Sequence, residues 1–491
     1  MIEDISKEGK GIVKNHYISQ LVIKRFSPEV TTFDVQERKL IENRRPHKIF
    51  YRENIYDNDI EKQMAHDLEQ PFAELLDRKI LNNNSEIILT RSELNLVKKF
   101  LLLDSVRTYS AENFRRTMLN FSNCVKHYMA YPMMDEEILK RLPSLSSLNI
   151  SDYDLQMRAM KLYLDCTDLL EISNHRLCNQ EFYLWAKVNS DSYLTFWDSA
   201  DNQEFILSST GMVSDYEPSH DIFEGLDLSK FSYLLDMIRN KSIDKTEMMF
   251  YAKCLSFNTI MYENFNIFNL SATRCMVLVH PFFRLYNDIQ AAINGKFLSA
   301  PKPDVWPTCF ETKEITSSPQ NRYVFPGLYL PADLFCYKPI KLSEFDTIYL
   351  NQLILRQNNS VIGFRDIKKV MDSFCCMNFF NAINQKDLYE AEGIEALGKL
   401  IDGMIEDKFY YIFEYFKDLK LQANINVLAY IDHYSKMAIN DTRWNIHVIK
   451  YLLSDEEKLR TMKNFEFMGS PDIRVALLKQ DLQKLESGGN V

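Results

Sequence analysis

The stretch "SYLTFWDSADNQEFILSS", residues 192–209, separates an all-helical interpretation of the chain from a mixed one. It contains two β-type runs, Tyr193–Trp197 and Glu204–Ser208, around a polar turn at Ser199–Asn202. Such runs on either side of a short polar segment are typical of a β-hairpin. We therefore predict a hairpin here, in a chain whose other patterns are mostly helical.

Further strand signals lie on both sides of this hairpin. The segment "TTFDVQERKLIENRRP", residues 31–46, alternates weakly and predicts one or two short strands. The apolar run Cys275–His280 predicts another strand, which Pro281 stops.

Helical patterns fill much of the rest, and two of them have a clear start. Thr90 with Glu93 has the spacing of a capping box, and Ser343 with Asp346 marks a second helix start. Pro71 lies inside a third helical run, where it predicts a kink or a division.

These patterns predict an α+β fold, predominantly helical, with a small central antiparallel sheet and a helical C-terminal part. The chain has 491 residues, 46% of them hydrophobic, which is enough for more than one domain. We predict a family-like α+β core over residues 1–365 and a helical C-terminal subdomain over residues 366–491.

Composition excludes several function classes. A formal net charge of −10 opposes nonspecific binding to duplex DNA or to anionic membranes. No pair of the nine cysteines has CxxC spacing, which predicts buried free thiols in a reducing compartment and no metal site. No run approaches the roughly 20 apolar residues of a membrane span, and the polar start does not resemble a secretory signal. We predict a cytoplasmic protein that does not bind membranes.

The first candidate site lies in "NHYISQLVIKRF", residues 15–26, around His16, Tyr17 and Gln20. On a helix, His16 and Gln20 would share a face at positions i and i+4. A histidine beside a hydrogen-bonding partner is suited to act as a general base or a metal ligand. The alternative is a structural histidine that ties the N-terminus to the core.

The second candidate site is the pair Asp104 and Arg107. Leu94, Val97 and Leu101 form an apolar stripe at helical spacing, and this stripe continues by threes to Asp104 and Arg107. A guanidinium on an apolar face is suited to bind phosphate or carboxylate. The alternative is a salt bridge at the end of a helix.

Other polar residues form weaker patterns. The hydroxyls of Ser208, Ser209 and Thr210 precede Gly211 and either line a phosphate pocket or end a strand. Asp304, Glu311 and Lys313 imitate a metal-dependent nuclease pattern, which charged loops also produce by chance. No P-loop, dinucleotide-binding, zincin or GxSxG motif is present, and Arg443 and His447 lie closer together than in helical ribonuclease toxins.

Several stretches together resemble one family. "HYISQLVIKRF" resembles the N-terminal His-Tyr-Val-Pro-Gln signature of the family called domain of unknown function 4238. "IEKQMAHDLE" resembles its paired Ile-Glu/Leu-Glu stretch, and "LLLDSVRTYS" resembles its helix with Gln-x-x-Arg-Thr. "EFILSSTGMV", "VLVHPFF" and "IYLNQLIL" follow in the family order, so the resemblance covers about residues 14–365.

The chain departs from the family pattern at three places. Ile18-Ser19 replaces Val-Pro, Asp104 stands in place of Gln, and Ser209 stands in place of Asp. The resemblance implies a soluble, mainly prokaryotic class of protein and no known reaction.

Our hypothesis is an intracellular prokaryotic protein of phage-defence or toxin type, a nuclease or hydrolase acting on RNA or a nucleotide. His16, Tyr17, Gln20, Asp104 and Arg107 are the candidate catalytic residues, and the hydroxyls of residues 208–210 are the candidate ligand-binding groups. The alternative is a non-catalytic scaffold that binds a protein partner or itself through its C-terminal helices. The sequence leaves open whether the chain is catalytic and which cofactor it uses.

Overall fold

A computed structural model of the chain describes the following residues: 14–53, 55–56, 58–108, 151–169, 193–216, 263–279, 334–358, 360–383, 399–400, 402–404, 406–414 and 430.

The helices are short near the N-terminus and longer around the core. They are α1 (Gln20–Phe26), α2 (Asn58–Gln63), α3 (Gln70–Leu75), α4 (Arg91–Thr108), α5 (Asp152–Asp165), α6 (Glu344–Gln357), α7 (Ile367–Ile383) and α8 (Tyr410–Glu414). Two π-helical turns, Met64–Glu69 and Leu76–Ile80, make α2 and α3 parts of one continuous helical segment over 58–80. A 3₁₀ turn covers Pro46–Lys48.

The strands form four sheets. The strands are β1 (Lys14–His16), β2 (Val30–Asp34), β3 (Lys39–Arg44), β4 (Tyr51–Glu53), β5 (Ile87–Thr90), β6 (Tyr193–Asp198), β7 (Leu207–Ser208), β8 (Val213–Tyr216), β9 (Glu263–Asn269), β10 (Arg274–Val279), β11 (Leu334–Tyr337), β12 (Ile340–Lys341) and β13 (Val361–Phe364). A five-stranded sheet has the order β12-β6-β10-β9-β8, and a four-stranded sheet has the order β3-β2-β13-β7. The pairs β1-β4 and β11-β5 form the other two sheets, and every pairing except the parallel β12-β6 is antiparallel.

The fold is therefore mixed α+β, as the sequence predicts. Strands begin at Lys14 and recur to Phe364, so they are not confined to the middle of the chain. The predominance of helix over the whole chain stays a prediction.

The predicted hairpin over residues 193–208 is wrong, although both runs contain strand. β6 pairs with β10 and β12 in the five-stranded sheet, whereas β7 pairs with β13 in the four-stranded sheet. The intervening main chain bonds to other elements: Glu204 N donates to Lys369 O, Phe205 N to Ala272 O and Ile206 N to Asn351 Oδ1. Long-range partners thus satisfy the donors that a hairpin would have paired locally.

The other local predictions in these elements are confirmed. Thr90 N donates to Glu93 Oε2 at 2.9 Å, and Glu93 N donates to Thr90 Oγ1 at 3.3 Å, which is the reciprocal capping box before α4. Ser343 is the N-cap of α6 and its hydroxyl accepts from Asp346 N. The two strands expected in residues 31–46 are β2 and β3, and the strand expected before Pro281 is β10.

Pro71 does not interrupt the helical segment 58–80. The π-helical turn Met64–Glu69 comes directly before α3, which has this proline in its first turn. A π-helical turn bonds each N–H one residue further back than an α-helix does, and such turns are frequent at functional sites. Glu69, the last residue of this turn, belongs to the candidate site described below.

The first helix after the predicted domain boundary packs against the core. α7 contacts α6, and Ser373 Oγ accepts from Asn351 Nδ2 at 2.9 Å across the two helices. Phe374 is buried beside Phe364 and Phe409. The division at residues 365 and 366 stays a prediction.

Candidate functional site

The residues before α1 run as a strand that places the His16 ring beside a neighbouring tyrosine. β1 pairs with β4 so that His16 lies opposite Tyr51, and their ring centroids are 5.9 Å apart. Tyr17 N donates to Phe50 O at 3.0 Å. Phe50 has φ 53°, a left-handed conformation that costs a bulky residue about 1–3 kcal/mol, so tertiary contacts hold this chain reversal beside His16.

His16 and Gln20 are in contact, as their spacing predicts. Gln20 Nε2 and His16 Nδ1 are 3.1 Å apart. The predicted geometry is wrong, because His16 belongs to strand β1 and Gln20 is the first residue of α1. The bond therefore spans a strand–helix junction instead of one helical turn.

Burial favours the neutral form of His16. It lowers the His16 pKa below 6.5, and the charges of Arg107 and His47 act in the same direction. The His47 backbone and the carboxylate of Glu69 oppose this by raising the pKa. The ring nitrogen Nε2 is buried without a hydrogen-bond partner among the residues that the structure describes. The imidazole is therefore neutral, with Nδ1 bonded to Gln20 and Nε2 buried.

Arg107 lies in the core with its guanidinium between two carboxylates. It is 2% exposed, and Nε and Nη2 donate to Asp104 Oδ1 at 3.0 and 2.7 Å. Nη1 donates to Glu69 Oε1 at 2.7 Å. The two carboxylates raise the Arg107 pKa, so the group stays charged. The predicted Asp104–Arg107 pair is confirmed, but it forms inside the core.

Asp104 is the most constrained carboxyl group of this region. Burial raises its pKa to about 6, which the neighbouring Arg107 charge partly offsets. Its Oδ2 atom is buried without a hydrogen-bond partner within the described part of the chain. A Cβ on Gly211, which has φ +68°, would lie 2.7 Å from this oxygen and 2.6 Å from Thr108 Cγ2. Only glycine fits there without strain.

Glu69 connects α1 to α4, and the candidate residues derived from the sequence did not include it. Ser19 Oγ donates to Glu69 Oε1 at 2.6 Å, the same oxygen that Arg107 binds. We call Ser19, Glu69, Asp104 and Arg107 the arginine cluster. The stretch "IEKQMAHDLE" contains Glu69 and carried part of the family resemblance, which was the available signal for this residue.

A second contact joins the N-terminal strand to the helical segment 58–80. Asn15 Nδ2 donates to Glu61 Oε2 at 3.2 Å, and Asn15 Oδ1 accepts from Ile55 N at 2.9 Å. Tyr56 donates its hydroxyl to His16 O at 3.3 Å, and burial raises the Tyr56 pKa. These bonds fix the main chain on both sides of the imidazole.

Tyr17 has its ring in the core, 7% exposed, with the Arg52 guanidinium 4.7 Å from the ring centroid. Burial raises its pKa, which keeps the phenol neutral. Its catalytic role stays a prediction.

The hydroxyls of residues 208–210 bond among themselves and to Asn358. Ser209 N and Oγ donate to Asn358 Oδ1 at 3.0 and 2.7 Å, and Asn358 Nδ2 donates to Ser208 Oγ at 3.0 Å. The Ser208 and Thr210 hydroxyl oxygens are 2.6 Å apart, and those of Ser209 and Ser360 are 2.9 Å apart. We call these five residues the asparagine cluster. Gly211 continues from it to the arginine cluster, so the chain brings both candidate sites near each other.

An open groove of about 580 Å³ lies at the end of α1. Its lining comes from the end of α1, the loop after it and the 3₁₀ turn: Lys24, Ser27, Pro28, Glu29, Arg45, Pro46 and His47. His47 also acts on the His16 pKa, so this one lining residue lies near the imidazole. The two exposed cations Lys24 and Arg45 outnumber the one lining carboxylate, Glu29, so the groove charge favours an anion.

No group of three His, Cys, Asp or Glu side chains suited to hold a metal ion is present in the described segments. The nuclease-like residues Asp304, Glu311 and Lys313 lie outside the described residues, as do Arg443 and His447.

Comparisons with known proteins test the family resemblance. No curated protein and no solved structure matches the chain. Within the described residues, no helix is both long enough and apolar enough to cross a membrane. A family model does match residues 14–235, a range that includes both clusters except Asn358 and Ser360. The resemblance is thus confirmed over these residues and stays a prediction for 236–365: residues 14–235 match the model of the family described as Protein of unknown function (DUF4238).

Proposed function

We propose that the chain is a cytoplasmic protein that binds a phosphate-bearing ligand, RNA or a nucleotide, in the groove beside His16. The observation that carries this proposal is the buried Nε2 atom of His16, which lacks a hydrogen-bond partner within the described residues. A buried polar atom without a partner costs about 1–3 kcal/mol, so such atoms are usually satisfied by a ligand, an ion or water.

The hydrogen bond at His16 Nδ1 decides whether Nε2 is a hydrogen-bond donor or an acceptor. If the Gln20 amide nitrogen donates to Nδ1, the proton of the neutral ring is on Nε2. The ring then presents an N–H donor, which is complementary to a phosphate oxygen. If the Gln20 amide is reversed, its oxygen accepts from Nδ1–H, and Nε2 becomes a base able to take a proton from an attacking hydroxyl.

The positive charge for the phosphate comes from the groove, because Arg107 is already engaged. Three of its nitrogen atoms bond to Asp104 and Glu69, and the side chain is 2% exposed. Lys24 and Arg45 line the groove and are exposed, so they can approach an anion without first breaking a buried ion pair. The role of Arg107 is then to hold Glu69 and Asp104.

The binding proposal is tested by titrating the purified full chain with ATP and with a short single-stranded RNA, using isothermal calorimetry. We expect His16→Ala and the double variant Lys24→Ala/Arg45→Ala each to weaken binding at least tenfold. His66→Ala and Lys161→Ala are matched controls, because His66 has an 85% exposed side chain and Lys161 is exposed on α5. Equal affinity in all variants, or no binding of either probe, contradicts the proposal.

Product analysis of the same mixtures separates an enzyme from a binding protein. Conversion of ATP or RNA that is lost in His16→Ala supports the hydrolase or nuclease, and with it the phage-defence or toxin role. Binding without conversion supports a non-catalytic module.

The scaffold alternative involves the C-terminal part, residues 366–491. Tyr411 there lies under the Arg38 guanidinium, 4.2 Å from the ring centroid, and is partly buried. Among the described residues the exposed large hydrophobic side chains are Ile41 and Tyr153, which lie on different elements. Light scattering of the full chain tests self-association directly, and a monomer contradicts the homo-oligomeric form of this alternative.

A further inference from the structure

Ser19 occupies a helix N-cap without capping the helix. Its main-chain oxygen accepts from Val22 N at 3.0 Å and from Ile23 N at 3.2 Å, as expected at the start of α1. Its side chain makes no cap hydrogen bond and donates to Glu69 Oε1 instead, at 2.6 Å. A serine cap is typically worth about 1 kcal/mol, so the bond to the carboxylate replaces a favourable local contact.

Glu69 is itself held firmly. Its Oε1 accepts from both Ser19 and Arg107, and Arg107 is fixed in turn by two bonds to Asp104 within α4. Hydrogen bonds between charged groups are about twice as strong as neutral ones, and burial of Arg107 limits competition from water. A set of hydrogen bonds thus runs from α4 through the π-helical turn to Ser19, the N-cap of α1.

The residue after Ser19 is Gln20, the partner of His16. Since Ser19 and Gln20 are adjacent, the position of Ser19 sets where the Gln20 side chain starts and whether its amide can reach Nδ1. We propose that Glu69 is a positioning residue: by holding Ser19 it fixes the start of α1, keeps Gln20 on His16 and so selects one tautomer of the imidazole. Its use in ligand binding rests on the proposed function, but the tautomer itself is measurable without a ligand.

The charge of Glu69 gives a second, independent readout. The carboxylate raises the His16 pKa, whereas Arg107 and burial lower it. Neutralising Glu69 while keeping its shape therefore lowers the His16 pKa further, and removing only the Ser19 hydroxyl leaves that charge in place.

The experiment is ¹⁵N and ¹³C NMR of histidine-labelled full chain, with the His16 signals assigned by their loss in His16→Ala. In the wild type we expect well-separated Nδ1 and Nε2 shifts, as for a ring in one tautomer. In Ser19→Ala the two shifts move toward each other because the tautomers mix. In Glu69→Gln the two shifts also move toward each other, and the His16 pKa is lowered. Ser27→Ala is the matched control, since Ser27 lies at the other end of α1 and donates to Glu29 O.

Separated shifts that persist in both Ser19→Ala and Glu69→Gln overturn the proposal, as do averaged shifts in the wild type. Ser19→Ala removes one hydroxyl, so it provides a test even if Glu69→Gln fails to fold. Failure of the proposed function looks different, because His16 would respond to both variants while neither ATP nor RNA binds.

Discussion

The arginine cluster and the asparagine cluster are both buried, both polar and joined by Gly211, yet they differ in what they leave open. In the asparagine cluster, every buried side-chain polar atom has a partner within the described residues. In the arginine cluster Asp104 Oδ2 has no partner among the described residues, and neither does Nε2 of His16, which the charges of Glu69 and Arg107 influence. Complete bonding is what a structural cluster requires, whereas unused bonding capacity identifies a candidate functional site.

The largest expected loss of unfolding free energy follows from removing the guanidinium charge of Arg107. Arg107→Met leaves Asp104 and Glu69 without their common partner, and breaking a buried pair costs about 3–5 kcal/mol. Arg78→Ala is the control, because Arg78 is 67% exposed in its pair with Glu93 and such pairs contribute at most about 1 kcal/mol. The free energy of unfolding from urea denaturation measures both, and equal losses would contradict a buried charged cluster.

A smaller loss is expected from the uncharged cluster. Asn358→Ala removes the acceptor of Ser209 N and Oγ and a donor to Ser208, which costs about 2–3 kcal/mol of unfolding free energy. Asn82→Ala, an exposed asparagine that donates to Asp77 O, should cost much less. The His16 NMR signals should not change in Asn358→Ala. A change of the His16 signals in Asn358→Ala would show that the asparagine cluster and the arginine cluster are coupled.

The smallest effect is a pH dependence confined to the arginine cluster. The folded-state pKa of Asp104 is about 6, above its ordinary value of 3.8, so the folded state binds the proton more tightly than the unfolded state. Stability from Asp104 is thus present below about pH 4 and is lost as pH rises through 6. Between pH 5 and pH 7, the unfolding free energy of the wild type should fall by about 1 kcal/mol relative to Asp104→Asn.

His16 contributes in the opposite direction, because its pKa is lowered: that stability is lost as pH falls below 6.5. Taking the difference between wild type and Asp104→Asn cancels this contribution. A difference that is constant over the same pH range would contradict the raised Asp104 pKa.

Local features of the fold were predictable from the sequence. The capping boxes at Thr90 and Ser343 involve residues three positions apart, and helical geometry alone brings such residues together. The hairpin at residues 193–208 was not predictable in the same way, because β6 bonds to β10, which lies 76 residues away at the pair Asp198 and Arg274. A β-type run states that a segment is extended, but not which strand pairs with it.

The same limit divides the candidate site. By itself, the sequence determined the contact of Asp104 with Arg107, because a spacing of three residues within one helix brings these side chains within reach. The contact of His16 with Gln20 spans a strand–helix junction, which the helical spacing did not predict. Only the tertiary structure decided that Glu69 joins Arg107 to Ser19, the residue before Gln20, since these two partners are 38 and 50 residues away from it. Burial, too, depends on the packed core, and burial is what raises the pKa of Asp104 and lowers that of His16.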